Sequence, residues 1–75
     1  MKTVTYKVVI EDAGSNLSAY VPDLPGCVST GVTVPEVLER MREAVQSHIE
    51  GMLEDGEQPP PATSQMAEVE ALIPG

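Results

Sequence analysis

Two kinds of hydrophobic patterning succeed one another along the chain. From Thr3 to Asp12 apolar and polar positions alternate: Val4, Tyr6, Val8 and Ile10 on one side, Thr3, Thr5, Lys7 and Glu11 on the other, with Val9 the exception. That period predicts a half-buried strand. Ala13 to Asn16 is turn-forming, and Leu17 to Pro22 alternates again with Leu17, Ala19 and Val21 on one face. The two runs are close enough for an antiparallel hairpin. Pro22 and Pro25 bracket Asp23-Leu24, so this piece is turn or edge. Gly26 lets the chain reverse, Cys27 to Thr30 is a short third strand, and Gly31 ends it. From residue 34 the period changes to 3.6. Val34, Val37, Leu38, Met41, Ala44, Val45, Ile49, Met52 and Leu53 share one half of a helical wheel, and mostly charged residues fill the other.

The signals at the ends of this helix are specific. Thr33 followed by Glu36 is a capping box. Pro35 sits in the first turn, where its missing N–H does no harm. Gly56 is the expected residue just past the end, and the prolines beyond forbid continuation. The apolar stripe of so long a helix requires a covering surface, and the apolar face of the three-stranded meander supplies it. Residues 57–65, with Pro59-Pro60-Pro61, form an extended spacer. In residues 66–73, Ala67, Val69, Ala71 and Ile73 alternate with Met66, Glu68, Glu70 and Leu72, which predicts a fourth strand despite good helix formers. The expected fold is α+β: an antiparallel sheet of three to four strands with one long helix on one face, in the order β-β-β-α-β. Residues 1–56 form its core in a single domain of 75 residues.

With no Trp and no Phe, the core is built of Val, Leu, Ile and Met. A chain this short buries only ~60% of its unfolded surface, and oligomerisation is a common remedy. A single cysteine, Cys27, excludes an internal disulfide framework, suits a reducing cytoplasm, and reads as a small buried residue. The N-terminus has no apolar run of signal-peptide length, and no apolar run is long enough to span a membrane.

Charge is uneven. Residues 1–33 carry Lys2 and Lys7 against Glu11, Asp12 and Asp23; residues 34–75 carry Arg40 and Arg42 against nine acids. The net of −8 thus sits almost wholly in the second half. Such a surface disfavours direct binding of nucleic acid and favours a basic partner.

Chemistry is sparse. Glu11, Asp12 and Asp23 lie near strand ends, but nothing fixes them as ligands, and solvated carboxylates are the expectation; no metal or cofactor is expected. His48 falls between Val37 and Met41 on the wheel, so partial burial is expected there rather than proton transfer. Cys27 and His48 could act together only if the fold joined them, and no third group to orient them is evident. The residues themselves therefore point to a small acidic α+β domain, oligomeric and not an enzyme.

Three runs carry a resemblance: Tyr6 to Asp12; Ala19 to Cys27, with its Pro22-Asp23-Leu24-Pro25-Gly26-Cys27 block; and Gly31 to Glu36, a G-x-T-x-x-E. Together they resemble the HicB-like antitoxin family. Arg42 to Val45, His48 to Met52, and Asp55-Gly56 followed by Pro59 and Pro61 resemble the family's helix and its exit. The likeness covers residues 4 to about 64; Val37 departs from it, where an Ala is usual. It implies a partial RNase H-like fold without the acidic metal cluster of the true nucleases, so catalysis is not carried over. It also implies a partner, a small basic mRNA-cleaving toxin of the HicA type. Many members add a C-terminal DNA-binding domain. Too few residues follow the spacer for one here, so a solo antitoxin domain is expected. The expected surfaces are the helix acids Glu43, Glu50 and Glu54, and Val69, Ala71 and Ile73 for a homodimer or higher oligomer. The alternative is an orphan, an oligomeric structural or regulatory protein with no toxin.

Overall fold

The computed structural model describes residues 2–75. Three strands, β1 (Val9–Asp12), β2 (Leu17–Tyr20) and β3 (Val28–Gly31), precede one helix, α1 (Val34–Glu54). The sheet is antiparallel in the order β1-β2-β3, as the hairpin pattern predicts. Register places Ile10 opposite Ala19 and Ala19 opposite Ser29; one step on, Leu17 faces Gly31. These residues share the face on which α1 lies. Ala19, Val21, Leu24, Cys27, Val37 and Met41 form the buried core, with Tyr6, Val8 and Ile10 packed against it.

The bounds of α1 are as the sequence predicts, but the capping box expected at its start is only half formed. Thr33 is extended (φ −123°, ψ 161°), and its hydroxyl accepts the Glu36 N–H at 3.3 Å. Glu36 does not reach back to complete the box. Its carboxylate pairs with Arg40 one turn on, at 3.0 Å. At the other end Gly56 takes φ +76°, Gly56 N–H donates to Leu53 O, and Glu57 N–H donates to Met52 O at 2.8 Å. This pair of bonds is a Schellman ending, which satisfies carbonyls the helix leaves free.

Gly31 is fixed by close packing. A Cβ on it would lie 2.9 Å from the backbone N of Val37 and 3.2 Å from its Cβ. Helix and β3 meet there without a side chain between them. Ser29 Oγ donates to Val37 O at 3.1 Å across the same contact, and Val37 is fully buried.

Three expectations change. β3 runs over Val28–Gly31, one residue later than expected, so Gly31 is paired within the strand opposite Leu17. The first strand is paired only over Val9–Asp12, not from Thr3. Its partner runs out: β2 ends at Tyr20 because Val21 enters a turn, so residues 2–8 extend beyond the sheet. Their alternation still holds, since Tyr6 and Val8 pack on the core. The fourth strand over residues 66–73 is not formed; residues 57–75 hold no regular secondary structure. The segment meets no strand edge of its own chain, and Val69, Leu72 and Ile73 are each more than nine-tenths exposed. The radius of gyration is 15.0 Å, against roughly 11 Å for a compact chain of this length. The molecule is elongated, 55 Å in its longest dimension.

Candidate interaction surface

The Pro-Asp-Leu-Pro-Gly-Cys block builds two consecutive turns. Leu24 N–H donates to Val21 O and Cys27 N–H to Leu24 O, both at 3.1 Å, while Val21 N–H donates to Cys27 O and closes the loop. Pro25 and Gly26 occupy the centre of the second turn with Gly26 at φ +86°, the arrangement of a type II turn. The turns drive Val21, Leu24 and Cys27 inward and leave Asp23 at the surface.

Asp23 has partners there. Its Oδ2 accepts the N–H groups of Thr63 (3.1 Å) and Ser64 (3.2 Å), and its Oδ1 accepts their hydroxyls at 3.3 and 2.8 Å. The Ser64 hydroxyl and amide, followed by those of Thr63, hold the Asp23 carboxyl below the usual carboxylate range. Close by, Tyr6 Oη donates to Pro60 O at 2.7 Å. Partial burial, with the charge of Asp23, pushes the Tyr6 phenol up. The block thus pins the proline spacer across the core, a role the sequence reading did not assign to it.

Cys27 is buried, with its thiol 3.8 Å from Met41 Sδ; burial raises its pKa. His48 is half-buried on the apolar side of α1, seven residues beyond Met41, about 10 Å of helix rise. No hydrogen bond joins Cys27 and His48 among the described residues, so the two do not form a nucleophile–base pair. Glu11 and Asp12 are exposed at the end of β1, and Asp12 accepts the Gly14 N–H at 2.9 Å in the hairpin turn. Among the described residues no group of three or more His, Cys, Asp and Glu side chains is placed to hold a metal ion.

The outer face of α1 carries charge without compensation. Glu43, Glu50 and Glu54 are exposed and lie within one narrow stripe, about 16 Å long at 1.5 Å per residue. Both helix arginines are engaged elsewhere: Arg40 with Glu36 and the Thr30 carbonyl, Arg42 with Glu39. No cation answers the stripe among the described residues. Val69, Ala71 and Ile73 are placed far from it in the chain, exposed on the projecting end.

Two apolar surfaces remain open. Val9, Tyr20 and Val28 are direct cross-strand neighbours on the face of the sheet away from α1, which accounts for Val9 breaking the alternation. A groove of about 890 Å³ runs between residues 2–8, the middle of α1 and the spacer prolines. Among the described residues no helix is long and apolar enough to cross a membrane.

A family model described as "HicB_like antitoxin of bacterial toxin-antitoxin system" matches residues 6–72. A protein of Haemophilus phage HP1, described as an uncharacterized 14.9 kDa protein in the rep-hol intergenic region, is 46% identical over 55 residues. That match takes in 73% of this chain and 41% of the phage protein, so the chain spans less than half of that relative's length.

Proposed function

The chain belongs to the HicB-like antitoxin family of bacterial toxin–antitoxin systems, and from that membership we propose that it binds a small, basic, mRNA-cleaving toxin of the HicA type and covers its active site. The stripe Glu43–Glu50–Glu54 carries this reading: three exposed carboxylates in line, with no cation set against them among the described residues. A ribonuclease must hold phosphates, so its active face is cationic, and a carboxylate stripe competes for the same groups. The antitoxin acts by occupancy in the cytoplasm and contributes no catalytic group, since its one histidine and one cysteine share no hydrogen bond and its carboxylates are exposed, paired with the helix arginines, or held in the hairpin turn and the spacer clamp.

The experiment is inhibition of RNA cleavage by a HicA-like toxin encoded beside this chain, titrated at low and high salt. Stoichiometric inhibition that weakens with salt is expected. Neutralising the stripe together (Glu43→Gln, Glu50→Gln, Glu54→Gln) removes three exposed pairs of roughly 0.5 kcal/mol each, about a tenfold loss of affinity. A toxin that cleaves unhindered at excess of this protein overturns the reading. So does RNA cleavage by the purified chain with Mg²⁺ that is lost in Asp23→Asn.

A further inference from the structure

The groove and the projecting end both stand open within the chain. Residues 3–7 read as strand, yet their backbone makes no hydrogen bond among the described residues. All of them but Lys7 line the groove, together with Leu38, Ile49 and Leu53 of α1 and Pro59 to Pro61. Leu38 and Leu53 are 41% and 52% exposed, because strands of four residues are too short to cover a helix of 21. A free strand edge beside an apolar floor accepts an extended segment with alternating apolar side chains.

Charge narrows the choice of segment. The chain has only four Lys and Arg in all, and two of them, Lys2 and Arg42, line this groove, Arg42 while it also pairs with Glu39. Its occupant is therefore acidic as well as apolar. Residues 66–73 are both: Ala67, Val69, Ala71 and Ile73 alternate with Glu68 and Glu70, and no cation interrupts them. They stand clear of their own chain, with Val69 and Ile73 at 93% and 94% exposure. Asp23 fixes the segment's root at Thr63 and Ser64. Beyond that root, residues 65–75 reach up to ~36 Å, more than the 27 Å middle dimension of the molecule.

We propose that residues 66–73 of one copy add as a strand to residues 3–7 of a second copy and fill its groove, reciprocally, in a two-fold dimer. Backbone pairing supplies affinity, Val69 and Ile73 enter over Leu38, Ile49 and Leu53, and Glu68 and Glu70 meet Lys2 and Arg42. The exchange is isologous, so both grooves are closed at once.

Sedimentation of the full chain tests this. The intact protein sediments at twice the 8.0 kDa chain mass. Val69→Asp with Ile73→Asp, at two exposed positions, gives a monomer with unchanged helical circular dichroism. Lys2→Glu with Arg42→Glu likewise gives a monomer. Mixing the two variants restores a dimer, since one sound end then meets one sound groove. An intact chain that is monomeric overturns the proposal, as does a dimer that survives the Asp substitutions. Failure of the mixed variants to pair also overturns it.

Discussion

Asp23 and Ser64 are 41 residues apart and joined twice: the Ser64 hydroxyl at 2.8 Å and its amide at 3.2 Å both donate to one carboxylate. Thr63 donates twice more. Prolines supply no N–H, so the spacer cannot be held by a ladder. A carboxylate presented by the turn holds it instead. Asp23→Asn keeps the shape and removes the charge that strengthens all four bonds. Faster hydrogen exchange at the Thr63 and Ser64 amides is expected, with the melting of the core little changed. Unaltered exchange would mean that Asp23 does not hold the spacer.

The same clamp gives a pH dependence with a definite sign. The Asp23 carboxyl in the folded chain is held below its ordinary value of 3.8. A lowered folded pKa stabilises the clamp fully above the ordinary value and releases it as pH falls through the lowered one. Release of residues 60–64 is therefore expected only below about pH 4. Amide shifts of Thr63 and Ser64, followed by NMR through that range, should move together with the Asp23 carboxyl. Movement near neutral pH would assign the transition to another group.

How much of this was legible in the sequence depends on how local each cause is. Thr33 and Gly56 announce the ends of α1 because capping is settled within four residues. The start of β1 could not be read, because it depends on β2, and β2 stops where the Val21–Cys27 turns begin. Residues 66–73 have strand period, but period says nothing about whether an edge is paired, and in this chain the segment pairs with none. Glu43, Glu50 and Glu54 were readable as a stripe. The clamp was not, since nothing local to Asp23 points to Thr63 and Ser64.

Gly31 and Val37 make a sharp steric prediction. Gly31→Ala places a methyl 2.9 Å from the Val37 nitrogen and 3.1 Å from its Cα. Backbone cannot yield as a side-chain tip can, so helix and sheet separate at a cost of about 1–3 kcal/mol. Val37→Ala does not rescue it, because the clash is with atoms that every residue shares except for a Cβ that alanine retains. Rescue in the double variant, measured by thermal melting, would refute this account of the contact.

Cys27 should be inert while the chain is folded. Its side chain is buried against Met41 and burial raises its pKa, so little thiolate is present and little of it is reachable. Alkylation at mildly alkaline pH should be slow in the native chain and rise to the free-thiol rate in denaturant. Fast native labelling would show that the turn block opens.

The start of α1 separates two halves of a motif that usually act together. Thr33 accepts the Glu36 amide, but Glu36 answers Arg40 instead of the Thr33 amide. Thr33→Ala therefore removes a cap and should cost ~1 kcal/mol. In a domain of this size that is roughly 4–8 °C of melting temperature. Glu36→Ala removes only an exposed pair and the favourable charge in the first turn, a loss of a few tenths of a kcal/mol to ~1 kcal/mol. Its cost should fall with added salt, whereas that of Thr33→Ala should not, because a hydroxyl-to-amide bond carries no net charge to screen. Melting both variants at low and high salt decides the matter. A salt-insensitive loss at Glu36 would mean that its carboxylate closes the box in solution.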